Sequence, residues 1–448
     1  MVVPDTPNRL SVFYERFKTT YRRRMDKPNM INDLIAFCES QETSNADVYE
    51  LKKKMEIDFI REVHCQYMYV FTTPNVYGCD LREILFNKDG SMTEGGQRLL
   101  DIFEAKKLPE QRLHILTDID DTLYPNIEHG SYIAGSDHSW VQKEPYPGIV
   151  SFYSRFYQKL PEESRYSTIL SATPGFLKNR RVNAPILNEI LTNKVTGEKF
   201  GFIQGVESKT ELVSYIRDIA YNARHPQVSV ARPDSSQLFV RFGNLKFERF
   251  VQYSRIFPEY DFIFIGDNGQ GDVLAGTQML EYMARIGTPQ RCTVAIHIVS
   301  DANGVEKHVA EQGMDIDRLY FFKSYYDLAN IFNGVILFDQ SDVDAIRSDT
   351  AAAFARIPRR TNTYRHHVPS QLSAPALVAT PALVATPTPA LVATPTPALV
   401  ATPAPTPAPA ATRNGGKKCG KYEKRRRTNK KKRTMMRSSK KYKKTRIN

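Results

Sequence analysis

Cysteine is scarce in this chain. Cys38, Cys65, Cys79, Cys292 and Cys419 are odd in number, widely scattered and without a CxxC pair. That pattern argues against a disulfide framework and against a structural zinc site, and it suits a reducing compartment. Long apolar runs are missing as well. No stretch is long enough to span a bilayer, and the opening "MVVPDTPNRLSVFYERF" reaches charge within a few residues, without the apolar centre of a signal peptide. The expectation is an intracellular protein, cytoplasmic or peripheral to membranes, with no transmembrane segment. Acids are nearly absent from residues 413–448, which carry 18 Lys/Arg against one acid, Glu423. The whole chain has a net charge of +13, so the rest of it is mildly acidic. Whatever the basic excess binds, the tail binds it.

What is present supports a sizeable core: 41% of the 448 residues are apolar. Residues 1–110 read as a helical N-terminal module. Met30, Ile31, Leu34, Ile35 and Cys38 share one helical face, Val48, Leu51 and Met55 another, and Ser91 and Glu94 have capping-box spacing ahead of Leu99, Leu100 and Phe103. From 111 to 345 the texture becomes short apolar runs alternating with helix-like stretches: "LHILTD", "STILSAT", "DFIFIGD", "CTVAIHIV" and "GVILFD". The expected class is α/β, a Rossmann-like parallel sheet flanked by helices, with ligands beyond the C-terminal strand ends. A connecting segment covers 346–372. Residues 373–412 repeat "PALVAT" in a Pro/Ala/Thr-rich spacer that denies both helix and ladder, and 413–448 form a polybasic tail too charged to fold.

The first strand runs into "TDIDDTL". Asp118, Asp120 and Asp121 would repel one another at a buried strand exit unless a cation neutralised them, and a divalent metal is the economical solution. Strand alternation puts Asp118 and Asp120 on one side, so one can act as nucleophile and the other as proton donor. Ser171, at the end of "STILS", can donate its hydroxyl to a phosphoryl oxygen. Lys246 in "RFGNLKFERF" can neutralise charge on the nucleophile and the transferring group, with Lys178, Lys194 and Lys209 as rivals. Asp267 and Asp272 in "DFIFIGDNGQGD" are hard oxygen ligands of the kind Mg²⁺ takes.

Together these four elements resemble the haloacid-dehalogenase-like superfamily of aspartate-nucleophile phosphohydrolases. "TDIDDTL", "LSATP" and "FIFIGDNGQGD" resemble most the catalytic domain of phosphatidate phosphatases of the actin-patch-associated type, a branch related to the lipin-like domains, and "VAIHIV" with "FFKSYYDLANIF" resembles its closing segment. The resemblance spans roughly residues 112–335. It implies a haloacid-dehalogenase-like core with Asp118 as the nucleophile that becomes an aspartyl-phosphate and Asp120 as general acid, then base. It further implies Ser171 holding the phosphoryl group, Lys246 offsetting negative charge, and Mg²⁺ held by Asp118, the Asp120 carbonyl and Asp267, with Asp272 as further ligand or orienter.

Two departures bear on substrate. Asn268 stands where that branch usually has Ser, and "YPNIEHGSYIAGSDHSW" is unlike the family there. This segment, with His129, His138 and Trp140, is expected near the site mouth. The implied function is an Mg²⁺-dependent phosphatase for phosphatidate or a related lipid phosphate. The alternatives are a phosphatase for nucleic-acid ends or soluble phosphoesters, and a lipid-phosphate binding module without catalysis. The tail suits an anionic membrane surface, nucleic acid or a nuclear import receptor, which makes the nucleus a possible address.

Overall fold

The computed structural model describes residues 8–21, 26–62, 64–70, 73–78, 80–87, 89–125, 137, 140–172, 181–203, 233–269, 271–287, 291–299, 317–334 and 336–356, with the backbone alone at 62, 64–78 and 233–238. The chain divides into two units, 1–378 and 379–448, and every described residue belongs to the first. The spacer and the polybasic tail therefore lie outside the described residues, as do Lys178, Lys209, His129 and His138.

The chain opens with helices α1 (Arg9–Tyr21), α2 (Lys27–Glu39), α3 (Asn45–Ile57) and α4 (Phe59–Glu62). Two strands follow, β1 (His64–Val70) and β2 (Thr73–Gly78), then α5 (Leu81–Leu85) and α6 (Gly96–Ala105). The second part begins β3 (Arg112–Thr117), α7 (Ile149–Lys159), β4 (Ser167–Leu170), α8 (Pro185–Leu191), β5 (Gly201–Ile203) and α9 (Pro233–Ile256). It ends β6 (Tyr260–Asp267), α10 (Asp272–Ile286), β7 (Cys292–His297), β8 (Leu319–Phe322), α11 (Tyr325–Phe332) and α12 (Gln340–Arg356).

The six strands β3 to β8 form one parallel sheet in the order β5-β4-β3-β6-β7-β8. Counting outward from β3, the chain winds to one edge, returns, and winds to the other. That order places a topological switch point between β3 and β6, where open α/β sheets form a ligand crevice at their C-terminal edge. The strands read as apolar runs because both faces are covered. Leu116, Phe262, Phe264, Val294 and Ile296 pack into one core, and their neighbours Ile115, Ile263, Ile265 and Ala295 into the other. Helices α9 and α10 cover the first face with the N-terminal helices, and α7, α8, α11 and α12 cover the second.

The N-terminal helices share a core with the sheet, and polar groups join them inside it. Lys52 of α3 meets Glu259 at 2.6 Å with both side chains buried. Glu56, one turn on, accepts hydrogen bonds from the hydroxyls of Tyr253 at 2.7 Å and Tyr166 at 3.1 Å, and also from Thr168. No helix among the described residues is long and apolar enough to cross a membrane.

Four expectations need correction. Residues 64–70 and 73–78 form an antiparallel pair, β1 with β2, inside a stretch read as helical; their Tyr, Val and Thr content is the strand signal that helical periodicity on either side obscured. Ser91 does not cap α6, whose N-cap is Gly95 at φ 76°; Ser91 instead bonds to Asp89. Among the described residues, capping boxes are formed by Ser44 with Asp47 on α3 and by Asp80 with Glu83 on α5. Among its described residues, "GVILFD" supplies no strand of the sheet. It contributes only an isolated bridge between Asn333 and Phe338, and the edge strand is β8, "LYFF". Finally, the last helix runs through position 345 to Arg356, with Ile346 and Thr350 buried.

Candidate active site

β3 hands the chain to the site through one extra ladder bond, from Asp118 N–H to the Ile265 carbonyl at 2.9 Å. The strand then ends sharply. Asp121 adopts φ 59°, a left-handed conformation that Asp tolerates better than most residues with a Cβ. Two distant side chains fix the carbonyls of this turn: His297 Nδ1 lies 2.8 Å from the Asp121 oxygen, and the Tyr325 hydroxyl donates to the Thr122 oxygen at 2.9 Å. Since a carbonyl only accepts, Nδ1 of His297 carries the proton. The segments "VAIHIV" and "FFKSYYDLANIF" thus hold the turn behind Asp118.

On the neighbouring strand, β6 ends at Asp267 and a short Gly-containing turn leads to Asp272 at the first position of α10. Gly266 is required there, because a Cβ would stand 2.5 Å from Asp272 Oδ2. The carboxylate lies against the bare strand and accepts a hydrogen bond from Asp267 N–H at 3.3 Å. Asp267 Oδ1 accepts from Gly269 N–H at 2.7 Å. Its Oδ2 is buried and has no hydrogen-bond partner among the described residues.

Asp118, Asp267 and Asp272 converge, each offering a carboxylate oxygen within 4.8 Å of the others, and all three are buried. The cation facing them is Lys246 of α9, only 3% exposed. Its Nζ is 3.1 Å from Asp118 Oδ2 and also bonds Asp272 Oδ1. Burial alone would lower the Lys246 pKa, but Asp118, Asp272 and Asp267 outweigh it and hold the ammonium above the ordinary lysine range. Asp272 is pushed up to about 6, first by burial and then by Asp118, against the pull of Lys246. Asp267 is raised well above the usual carboxylate range by burial, Asp272 and Asp118. Three buried carboxylates against one amine leave negative charge in a low-dielectric place, and an oxygen without a donor besides. Hard oxygen ligands in excess of their counter-charge fit a divalent cation. The triad could hold a metal ion.

Asp120 stands apart from the triad. Its Oδ2 pairs with Arg181 Nη2 at 2.9 Å, and the same guanidinium donates to the Tyr124 hydroxyl at 2.7 Å. Burial raises the Asp120 pKa, Arg181 counteracts it and Asp118 adds to it. Ser171 is buried one residue beyond β4. Because Thr117 pairs with Ile169, it leaves the sheet at the same edge as Asp118. Among the lysines, Lys246 reaches the aspartates, whereas Lys194 is exposed on the loop entering β5, at the opposite edge. Asn268 helps close the turn by accepting from Val299 N–H at 2.9 Å. Trp140 is a packing residue, contrary to the role expected for its segment at the site mouth. It is 6% exposed, its Nε1 donates to the Pro145 carbonyl at 2.9 Å, and its ring meets Phe354 of α12 edge-on. Sequence reasoning missed Arg181 and Tyr124; a lone Arg and a Tyr after an acidic turn carry no pattern of their own. Cys38 and Cys292 are free and buried, and burial pushes both thiols up to about 12.

The chain matches no family model, no curated protein and no solved structure.

Proposed function

We propose that this chain is a Mg²⁺-dependent phosphatase of the haloacid-dehalogenase-like kind, working through an aspartyl-phosphate and acting on phosphatidate or a related lipid phosphate. The observation that carries this reading is the convergence of Asp118, Asp267 and Asp272 on Lys246 at the switch point of the sheet. In that arrangement Asp118 is the nucleophile, since it leads the strand exit and its carboxylate lies 3.1 Å from the Lys246 amine. Asp120 is the acid that protonates the leaving oxygen and the base that then activates water. Ser171 lies at the adjoining strand end, placed to hold a phosphoryl oxygen. Lys246 offsets charge as the phosphoryl group passes to Asp118.

Asp118 and Asp267 would hold the Mg²⁺, with the Asp120 carbonyl as a third ligand, and Asp272 orients them through Lys246 and the Asp267 amide. Bound there, the ion would supply charge neutralisation for the phosphoryl oxygens. The lipid preference rests on the family resemblance together with the tail at 413–448, in which each basic residue near an anionic surface adds on the order of 1 kcal/mol. The same tail suits a phosphatase of nucleic-acid ends, the second reading.

The test is phosphate release from phosphatidate in mixed micelles, compared with end-phosphorylated oligonucleotide, with Mg²⁺ and with chelator. The lipid reading expects Mg²⁺-dependent turnover of phosphatidate that Asp118→Asn abolishes. Turnover of the oligonucleotide alone moves the assignment to nucleic acid. Liposome binding without turnover of any phosphoester would leave a non-catalytic binding module.

A further inference from the structure

The two oxygens of Asp120 sit in different surroundings. Oδ2 accepts from Arg181 Nη2 at 2.9 Å. Oδ1 is buried and has no hydrogen-bond partner among the described residues. A buried acceptor left bare keeps the full penalty of its lost hydration, so an ion pair made only for stability would be expected to satisfy both oxygens. Here one of them stays bare among the described residues, at the strand exit that also carries Asp118.

The clamp that creates this asymmetry is rigid at each joint. A guanidinium is planar, with donors in a fixed fork, and Arg181 uses two of its arms, one on Asp120 and one on the Tyr124 hydroxyl. Tyr124 is 2% exposed, and its backbone bridges to that of Asp120. The turn between them is held from behind by His297 and Tyr325. With both ends of the fork anchored, the carboxylate plane of Asp120 has little freedom to rotate.

We propose that Arg181 is a positioning residue. By clamping Asp120 Oδ2 to Tyr124, it presents Oδ1 as the one oxygen that exchanges a proton with the substrate, an inference that rests on the phosphatase reading above. In the first half-reaction an Asp118 oxygen forms a bond to phosphorus. The bond from phosphorus to the leaving oxygen breaks, and the proton on Asp120 Oδ1 passes to that oxygen. In the second half a water oxygen bonds phosphorus, the bond between Asp118 and phosphorus breaks, and a water proton returns to Oδ1. Arg181 gains and loses nothing; its charge faces the carboxylate that exists between the two halves.

The experiment compares kcat/KM for two soluble phosphate monoesters with the full-length enzyme in Mg²⁺. An alkyl phosphate has a leaving oxygen that needs a proton, whereas p-nitrophenyl phosphate departs as a stable anion. Because general acid catalysis is worth about 100-fold or more, Arg181→Met should lower kcat/KM on the alkyl ester by on the order of 100-fold. The nitrophenyl ester should change by less than about 5-fold on the same grounds. Asp120→Asn should show the same selectivity, and adding Arg181→Met to it should remove nothing further from the alkyl ester. Arg181→Lys keeps the charge without the fork and should fall between wild type and Arg181→Met; it also supplies the comparison if the Met variant does not fold. Equal loss on both esters in a folded variant, or a further loss in the double variant, overturns the proposal. Absence of any phosphate release by the wild type instead overturns the phosphatase reading, and the positioning role with it.

Discussion

Lys246 and Asp118 come from different halves of the α/β sheet region, and their amine and carboxylate meet 3.1 Å apart inside the protein. The same amine bonds Asp272, so two buried carboxylates depend on one cation. Truncating it, as in Lys246→Met, leaves both uncompensated, a change that typically costs about 3–5 kcal/mol. The expected outcome is a marked fall in melting temperature in metal-free buffer. Mg²⁺ should restore more stability to the variant than to the wild type, because the ion then supplies the missing charge. Phosphate release, once Mg²⁺ is saturating, should still be lower by on the order of 100-fold. Melting curves with and without Mg²⁺, alongside turnover, check both halves.

The position of Lys246 depends in turn on two glycines. A Cβ on Gly243 would stand 2.6 Å from the Gly271 carbonyl, and one on Gly271 would stand 2.2 Å from the Phe239 carbonyl. This close approach lets α9 lie against the start of α10, one helical turn before Lys246. Gly243→Ala should force the two helices apart, costing about 1–3 kcal/mol as overpacking does, and should lower turnover as well. Gly197→Ala is the control: its φ is 72° but nothing lies within 4 Å, so it should carry only the local backbone strain of about 1–2 kcal/mol and leave turnover intact. Turnover, measured alongside urea denaturation, separates these cases: it should fall in Gly243→Ala and stay intact in Gly197→Ala.

The sheet was largely legible in the sequence because its strands are buried on both faces. "LHILTD", "STIL", "DFIFIGD" and "CTVAIH" are apolar runs that end at polar residues, and in two of the four those residues are the site aspartates Asp118 and Asp267. β5 was not legible, since three residues make no run, nor was the β1–β2 pair within its helical neighbourhood. Local pattern also cannot tell which cation meets which acid. Four lysines fit the role by sequence, and among the described residues Lys246 is the one that α9 brings to Asp118 and Asp272. Arg181 and Glu56 are the same case: their partners come from remote segments that no local spacing points to.

Glu56 and His114 make a matched pair whose effect on stability depends on pH. Tyr253 donates to Glu56 at 2.7 Å and lies 3.1 Å from His114 Nε2, so one hydroxyl links the two. Burial pushes Glu56 from 4.5 up to about 7, against the hydroxyls that favour its charged form. Burial pulls His114 from 6.5 down to about 3. For Glu56, stability falls as pH rises from 4.5 to about 7, because the unfolded chain releases a proton that the folded one keeps. For His114, stability falls as pH drops from 6.5 to about 3, because only the unfolded chain takes up the proton.

In the shared window, pH 4.5 to 6.5, the folded pair holds one proton on Glu56 and the unfolded pair holds one on His114. The two slopes cancel there. Glu56→Gln removes one of them, so the variant should lose stability on acidification by up to about 1.4 kcal/mol per pH unit more steeply than the wild type. Chemical denaturation at several pH values across that window reads the difference directly. Parallel curves would mean that the two groups do not titrate on unfolding as described.

The central claim is that carboxylates from two strand ends close around one divalent ion, and calorimetric titration of the full chain with Mg²⁺ tests it without any substrate. The account predicts a single saturable site in the wild type, lost in Asp267→Asn although that variant remains folded. No Mg²⁺ uptake by the wild type, or uptake that Asp267→Asn leaves unchanged, would contradict it.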